Sequence, residues 1–276
     1  SRGFGNSKSL SSNATGSEGY QGGAPSTSGA QNVGTSSFQA YGADWSKGTD
    51  DMIAWCFKCN GGTTTSDSSA DITVTRQSNT EGGFAILTYT GNGSDNQTIA
   101  HGLGVKPSFI IIKNRNTSNG WSVWTQYLGD NSKWIQLDVD QAQQSDTNQF
   151  YNSGMTTSTI GVRSGASVNG NGNSLVAYVW ADVAGMQVFS SYIGNGSTDG
   201  TMVITGFRVR LLVIKRASSS GGWRVYDSER HTINPNDAIV RWNENGAEDT
   251  ANQAVDFLSN GFKLRSSNSE VNQDDG

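Results

Sequence analysis

The sequence predicts an all-β protein built from tandem antiparallel β-sandwich units, each about 100 residues long. Three observations support this fold class, and the first is composition. Gly, Ser, Thr and Asn make up about 44% of the 276 residues, and Gly alone accounts for 35. Such a chain suits short strands separated by turns and disfavours a helical bundle. The 8 Trp, 8 Tyr and 10 Phe supply aromatic bulk for thin cores.

The second observation is internal repetition. Four motifs occur twice, 102 to 107 residues apart. The pairs are Gly91–Gly93 with Gly194–Gly196, Phe109–Lys113 with Leu211–Lys215, Trp121–Trp124 with Trp223–Tyr226, and Phe150–Met155 with Phe257–Phe262. Two consecutive units are therefore predicted: 83–184, called the first repeat, and 185–276, called the second repeat.

The residues before these repeats are predicted to form the end of an earlier unit and a linker. Met52-Ile-Ala-Trp-Cys-Phe57 resembles Leu175-Val-Ala-Tyr-Val-Trp180, the strand-like run that ends the first repeat. Residues 1–59 are therefore interpreted as the C-terminal part of an earlier β unit. Residues 60–82 are rich in Gly, Thr, Ser and Asp, which indicates a linker with one short strand at 72–76.

The third observation is the pattern of apolar residues within the predicted strands. Trp121-Ser-Val-Trp-Thr125 alternates, which predicts a strand with one buried face. Phe109-Ile-Ile-Ile112 does not alternate, which predicts a central strand buried on both faces. The Gly-Asn-Gly motifs supply the positive φ angles of tight turns.

No helix is predicted, and the strands are assigned in chain order. The first repeat has them at 84–90, 108–113, 121–127, 133–139 and 175–183. The second has them at 186–193, 201–205, 209–215, 222–227, 237–243 and 261–265. The second repeat has no counterpart of 175–183, so we expect one sheet edge to lack a partner. Either the chain continues past Gly276 or a partner supplies the strand.

Charge and hydropathy exclude two classes of partner. The net charge is −5 and the isoelectric point about 5.0, which gives nucleic acid no basic surface to bind. No apolar run of about 18 residues is present, so no membrane-spanning segment is predicted.

The cysteines and histidines do not form a recognisable catalytic or metal motif. Cys56 and Cys59 form a Cys-x-x-Cys, but zinc needs four ligands and the chain has only two His. We interpret the pair as one buried Cys beside a free one. His101 aligns with Thr205 of the second repeat, and a threonine cannot act as a general base. His231 could belong to a Ser-His-Asp triad, but the sequence has no Gly-x-Ser-x-Gly motif to supply the nucleophilic serine. We predict no catalytic residues, no metal, no cofactor and no enzymatic activity.

Carboxylates occur in pairs within predicted loops. The pairs are Asp138 with Asp140, Asp227 with Glu229, Glu244 with Asp249, and Asp274 with Asp275. Paired carboxylates can cleave glycosides, and Asp138 with Asp140 could bind Ca²⁺. The sequence sets no distance between them, so we favour solvated loops.

Aromatic residues provide the remaining candidate site. Trp121, Trp124, Trp223 and Tyr226 recur at equivalent positions of the two repeats, which favours a role in the core. Trp134 and Trp242 lie in strands flanked by polar residues and are the candidates for exposed platforms that stack on sugar rings.

Several motifs resemble a repeat of virion proteins of tailed phages, notably marine and cyanobacterial ones. Residues 89–115 carry Tyr-Thr-Gly-Asn-Gly, His-Gly-Leu-Gly-Val-Lys-Pro and Phe-Ile-Ile-Ile-Lys-Asn-Arg, and similar motifs occur at 222–230, 256–264 and 52–58. The resemblance implies a structural protein in an external appendage, a tail fibre or capsid appendage, that contacts the host.

The resemblance also implies the partners. They are copies of the same chain (a homo-oligomer, for which such fibres often use three copies), other virion proteins, and a host-surface glycan. The alternative interpretation, from the Trp content on an all-β frame, is a secreted carbohydrate-binding module or polysaccharide-degrading enzyme.

Overall fold

A computed structural model describes residues 10–18, 20–21, 24–25, 29–31, 39–41, 51–60, 63–130, 132–250 and 253–274. It has 34% strand and 5% helix, and its sheets are antiparallel, which confirms the all-β class. The division into tandem sandwiches stays a prediction. None of the described residues belongs to a helix with the length and apolar character that a membrane crossing requires.

Four short strands lie among the described residues before position 50. They are β1 (Tyr20–Gln21), β2 (Ala24–Pro25), β3 (Gly29–Gln31) and β4 (Gln39–Tyr41). They form two hairpins, β1 with β2 and β3 with β4. Most of the predicted earlier unit, 1–59, lies outside the described residues.

The first repeat and the predicted linker together build one eight-stranded sheet in the order β12-β11-β10-β9-β14-β7-β6-β5. Its strands are β5 (Thr65–Asp67), β6 (Val74–Asn79), β7 (Phe84–Thr90), β9 (Phe109–Asn114), β10 (Ser122–Thr125), β11 (Lys133–Gln136), β12 (Gln144–Ser145) and β14 (Ser174–Trp180). The segment 60–82 contributes two strands instead of the one predicted, because β6 pairs with the free edge of β7.

A two-stranded sheet packs against this large sheet. It consists of β8 (Gln97–Ala100) and β13 (Thr159–Val162), and neither strand is predicted from the sequence. A 3₁₀ helix (Asn152–Gly154) and α1 (Ala166–Asn169) complete the repeat. One apolar core includes Ile99 and Ile160 from the small sheet and Ile110 and Leu175 from the large one.

Strand β9 is buried on both faces, which confirms the prediction from its continuous apolar run. Ile110 and Ile112 enter the core between the sheets, whereas Ile111 packs in a second cluster on the outer face. The prediction that 121–125 has only one buried face is wrong. Ser122 is fully buried, because its face covers the core and its hydroxyl bonds to the Gln149 side chain.

The second repeat contains two three-stranded sheets, β15-β20-β19 and β16-β17-β18. The strands are β15 (Met202–Ile204), β16 (Leu211–Lys215), β17 (Trp223–Asp227), β18 (Val240–Arg241), β19 (Val255–Leu258) and β20 (Gly261–Leu264). The helix α2 (Ser269–Asn272) follows. Residues of both sheets share a core that includes Leu212, Tyr226 and Phe262.

The predicted strand at 186–193 is wrong, because no residue of it lies in a named strand. Its counterpart β7 pairs with β14 on one side and β6 on the other. The second repeat provides no equivalent of either neighbour among the described residues. An extended segment without neighbours has no ladder to join.

The pairing of the last strands corrects one of the motif alignments. Phe150 bridges to Val162 of β13, whereas Val255 pairs with Leu264 of β20. Since β13 and β20 occupy equivalent places, the counterpart of Phe150 is Val255 and not Phe257. The segment between Phe150 and β13 is longer than the segment between Val255 and β20. Because of this difference in length, the sequence alignment paired Phe150 with the wrong residue.

Candidate functional site

The two tryptophans predicted as sugar platforms lie apart, and both are half-buried. Trp134, on β11, packs against the core of the first repeat, and its indole nitrogen is buried without a partner among the described residues. Trp242 stacks on Trp223 with ring centroids 6.4 Å apart. The structure therefore does not bring them together on one face, and sugar binding by either stays a prediction.

His101 is fully buried and holds a turn. Its Nδ1 accepts a hydrogen bond from the Leu103 amide at 3.2 Å, and its Nε2 faces the Thr156 carbonyl at 3.3 Å. Burial lowers the pKa of His101 to about 4, so the ring is neutral at pH 7. In the second repeat the Thr205 hydroxyl ties the equivalent turn by donating to the Phe207 carbonyl.

The cysteines do not pair with each other. Cys56 is exposed, whereas the half-buried Cys59 thiol lies 3.1 Å from the Gln77 carbonyl. Burial raises the pKa of Cys59, which disfavours the reactive thiolate. Within the described ranges, no group of three His, Cys, Asp or Glu side chains could hold a metal ion.

The predicted carboxylate pairs are bound into local structure. Asp138 is buried, and its Oδ1 accepts from the Trp121 amide at 2.7 Å. The Asp227 side chain accepts from the Trp55 indole at 3.0 Å and from the Glu229 amide. Other members of the pairs meet arginines: Glu229 bonds to Arg210, and Glu244 and Asp249 lie beside Arg241. Asp275 lies outside the described residues.

The most distinctive polar site is a lysine near the end of a strand in each repeat. Lys113, on β9, is fully buried, whereas Lys215, the last residue of β16, is half-buried. The Lys113 ammonium lies within 3.4 Å of four main-chain carbonyls, those of Thr15, Asn114, Thr117 and Asn119. Burial lowers the pKa of Lys113 to about 8. The carbonyl of Thr15 comes from the segment before the repeat, so the lysine joins two parts of the chain.

Lys215 repeats this arrangement in the second repeat. Its ammonium contacts the carbonyls of Asp140, Gln141, Arg216 and Gly221 at 2.6 to 3.2 Å. Burial also lowers its pKa to about 8. Two of these carbonyls belong to the first repeat, so Lys215 joins the second repeat to the first as Lys113 joins the first to residues 10–18.

A buried tryptophan accompanies each lysine at the same junction. The Trp121 indole donates to the carbonyls of Ser11 and Ala14, at 2.9 and 3.2 Å. The Trp223 indole donates to the Gln136 carbonyl at 3.0 Å. Both rings belong to the cluster on the outer face of the first repeat's sheet, and they are 5% and 3% exposed. Their predicted burial is confirmed, but they pack between successive units and not inside one.

A second pair of equivalent residues closes each repeat, and sequence reasoning missed it. The amide of buried Asn169 donates to the Asn92 side chain at 3.0 Å, and that of Asn272 donates to Asn195 at 3.0 Å. Each asparagine ends a four-residue helix and locks the Gly-Asn-Gly loop. The signal was present, because a Val-Asn dipeptide recurs 103 residues apart, as the loop does.

These groups can hold chain segments together through charge-assisted and neutral hydrogen bonds. The geometry supports a mechanical role: each lysine and tryptophan fixes the main chain of the segment that comes before its repeat.

Comparison with known proteins identifies the family to which the chain belongs. No curated protein and no solved structure matches the chain. One family model, described as a domain of unknown function (DUF7483), matches residues 3–276, which include both repeats and nearly all that precedes them. The chain therefore belongs to the DUF7483 family of domains of unknown function.

Proposed function

We propose that the chain is a structural component of a tailed-phage particle, in a tail fibre or capsid appendage, where its β units serve as a spacer. The observation that carries the proposal is the repeated junction. Trp121 with Lys113, and Trp223 with Lys215, bond to the main chain of the preceding segment in the same way. A joint that recurs with the same chemistry is suited to adding units in series.

The composition of the chain supports a part that is exposed outside the cell. Charged residues make up 16% of the chain, whereas Gly, Ser, Thr and Asn make up about 44%. The sequence resemblance to phage virion repeats supports the same assignment. We further propose that the protein assembles with copies of itself and with other virion proteins.

The proposal can be tested by locating the chain in the phage particle. Antibody fragments against the purified chain, labelled with gold, should decorate an external projection in electron micrographs of the parent phage. Fragments that do not recognise the chain provide the control. Label inside opened capsids, or no label on any particle, would contradict the proposal.

We also propose that the exposed faces contact a host-surface glycan. A glycan array with the purified chain should show binding that falls in Trp134→Ala or Trp242→Ala, with Tyr127→Ala as a control at an exposed aromatic residue. Unchanged binding in both tryptophan variants would contradict their role. A chain that binds or cleaves polysaccharide but is absent from particles would support the secreted alternative.

A further inference from the structure

One edge of the second repeat has no strand beside it among the residues that the structure describes. In the first repeat, β9 lies between β10 and β14, and β14 in turn pairs with β7. In the second repeat, β16 pairs with β17 on one side, and no described strand pairs with its other side. Tyr192 nevertheless bonds to the Val271 carbonyl as Tyr89 of β7 bonds to Val168. The counterpart of β7 is therefore held in place, and no described strand occupies the position between it and β16, which is called the open edge.

The chain also contains an apolar segment that belongs to no ladder. Residues 52–57 match β14 position by position, from Met52 against Leu175 to Phe57 against Trp180. Whereas β14 is largely buried, Met52, Ile53 and Phe57 are 58%, 42% and 47% exposed. An exposed apolar run of this kind usually marks a contact surface.

We propose that residues 52–57 of one copy of the chain form the missing strand of the second repeat of another copy. The strand would lie antiparallel to β16, as β14 lies against β9. Main-chain hydrogen bonds would provide affinity, and alternate side chains would fill the two faces of the sheet. The exchange would operate whether or not the chain belongs to a phage particle.

The register follows from the first repeat. Val179 of β14 stands opposite Ile110, and Trp180 stands opposite Phe109. Ile110 pairs with Trp124, as Leu212 pairs with Tyr226, so Leu212 is the counterpart of Ile110. Cys56 of the incoming strand should therefore stand opposite Leu212, and Phe57 opposite Leu211.

The geometry favours a second copy over the chain's own segment. In its own chain the Trp55 indole bonds to Asp227 of β17, on the side of β16 away from the open edge. Phe57 packs against Phe84 and Trp180 of the first repeat. To reach the register within one chain, the segment would have to leave these contacts and move. The next residues oppose it, since Asn79 bonds to the Lys58 carbonyl and Cys59 to Gln77. In a separate copy, Lys58 and Cys59 can keep these two bonds while residues 52–57 extend in register, and the Trp55–Asp227 bond and the packing of Phe57 are given up.

The donor segment and the open edge consist of different residues, so the contact joins two unlike surfaces. Copies would therefore form a reciprocal pair, a larger ring or a filament. The exchange thus specifies one form of the self-association proposed for the chain.

A disulfide trap tests the register directly. Opposite residues of neighbouring strands have Cα atoms close enough for a disulfide. In a Cys59→Ser background, Leu212→Cys should form intermolecular disulfides with the native Cys56 under mild oxidation, seen as dimers and larger species on a non-reducing gel. The matched control is Val213→Cys, whose side chain faces the other side of the sheet and should cross-link far less.

Two results of this experiment would overturn the proposal. One is equal or absent cross-linking in both variants. The other is a monomer that loses its thiols in Leu212→Cys, which would place residues 52–57 on the edge of their own chain.

A second measurement does not depend on a core substitution. Ala54→Pro removes a main-chain donor at the centre of the donor segment, which belongs to no ladder within the monomer. Sedimentation equilibrium should show concentration-dependent association of the wild-type chain and at least tenfold weaker association of Ala54→Pro. The matched control, Ala54→Ser, keeps the donor and should associate as the wild type does. A wild-type chain that stays monomeric throughout would overturn the proposal.

Discussion

At the scale of single residues, Lys113 and Lys215 show how a charged side chain can serve as a structural joint. Each ammonium replaces its water shell with main-chain carbonyls, some of its own repeat and some of the preceding segment. The sequence marks both lysines as repeated. It does not predict that they bond to the preceding segments, because the accepting carbonyls there, of Thr15 in one case and of Asp140 and Gln141 in the other, lie in segments with no sequence likeness to one another.

We expect the Lys113→Met variant to be destabilised by about 3 kcal/mol, because buried carbonyls would lose a charged donor. Lys106→Met is the control, since Lys106 is exposed and should change stability by at most about 0.5 kcal/mol. Urea unfolding at pH 7 measures both values. Equal stability of the two variants would show that the Lys113 contacts contribute little.

His101 predicts an acid-sensitive component of stability. Its pKa is about 4 in the folded chain and about 6.5 in the unfolded chain. Between these values the unfolded state binds more protons, so stability is fully present above pH 6.5 and falls as the pH drops towards 4, by about 3 kcal/mol. In His101→Gln, urea unfolding should depend less on pH over this range. An unchanged profile would contradict the assignment.

At the scale of elements, pairing decides which predicted strands exist. The apolar runs at 84–90 and 109–114 form strands as predicted, because each finds two neighbours. The comparable run at 186–193 does not, because the described part of the chain provides no strand beside it. The opposite error occurs at Gln97–Ala100, whose four residues show little periodicity but become β8 by pairing with β13. The local pattern of apolar residues shows whether a segment is able to form a strand, whereas tertiary contacts with neighbouring strands determine whether it does.

Hydrogen exchange should separate the two equivalent segments. In dilute solution, amides at 187–193 should exchange about 100-fold faster than those at 84–90, because the latter donate to β6 and β14. Mass spectrometry of peptides from each segment measures this ratio within one sample. Similar protection of both would mean that the open edge is already occupied.

At the scale of the whole molecule, each of the two sequence repeats bonds to the main chain of the segment that precedes it. Residues 10–18 present carbonyls to Trp121 and Lys113, and the 136–141 segment presents them to Trp223 and Lys215. Repetition was predictable from the motif spacing. The hydrogen bonds that join each repeat to the preceding segment were not predictable, because the sequence around Trp121 and Trp223 is equally compatible with core residues of separate units.

The joint before the first repeat can be measured by a double-mutant cycle. Deleting residues 1–18 should destabilise the chain, because the Trp121 indole loses both of its acceptors. In the Trp121→Phe background the same deletion should lower the free energy of unfolding by about 1 kcal/mol less than in the wild type, because the indole donor is already absent. Thermal or urea unfolding of the four proteins gives the coupling. Zero coupling would exclude this hydrogen bond as a contribution to the joint.

The joints have an evolutionary consequence. The tryptophan and lysine donors that cross each boundary meet only backbone oxygens, which every amino acid provides. Recognition of this kind fixes the path of the preceding main chain but, apart from the Glu18 carboxylate that pairs with Arg115, places few requirements on its side chains. Modules with unrelated surfaces could therefore be recombined upstream of either boundary while the connection is conserved, which allows a lineage to exchange its outer faces and retain its scaffold.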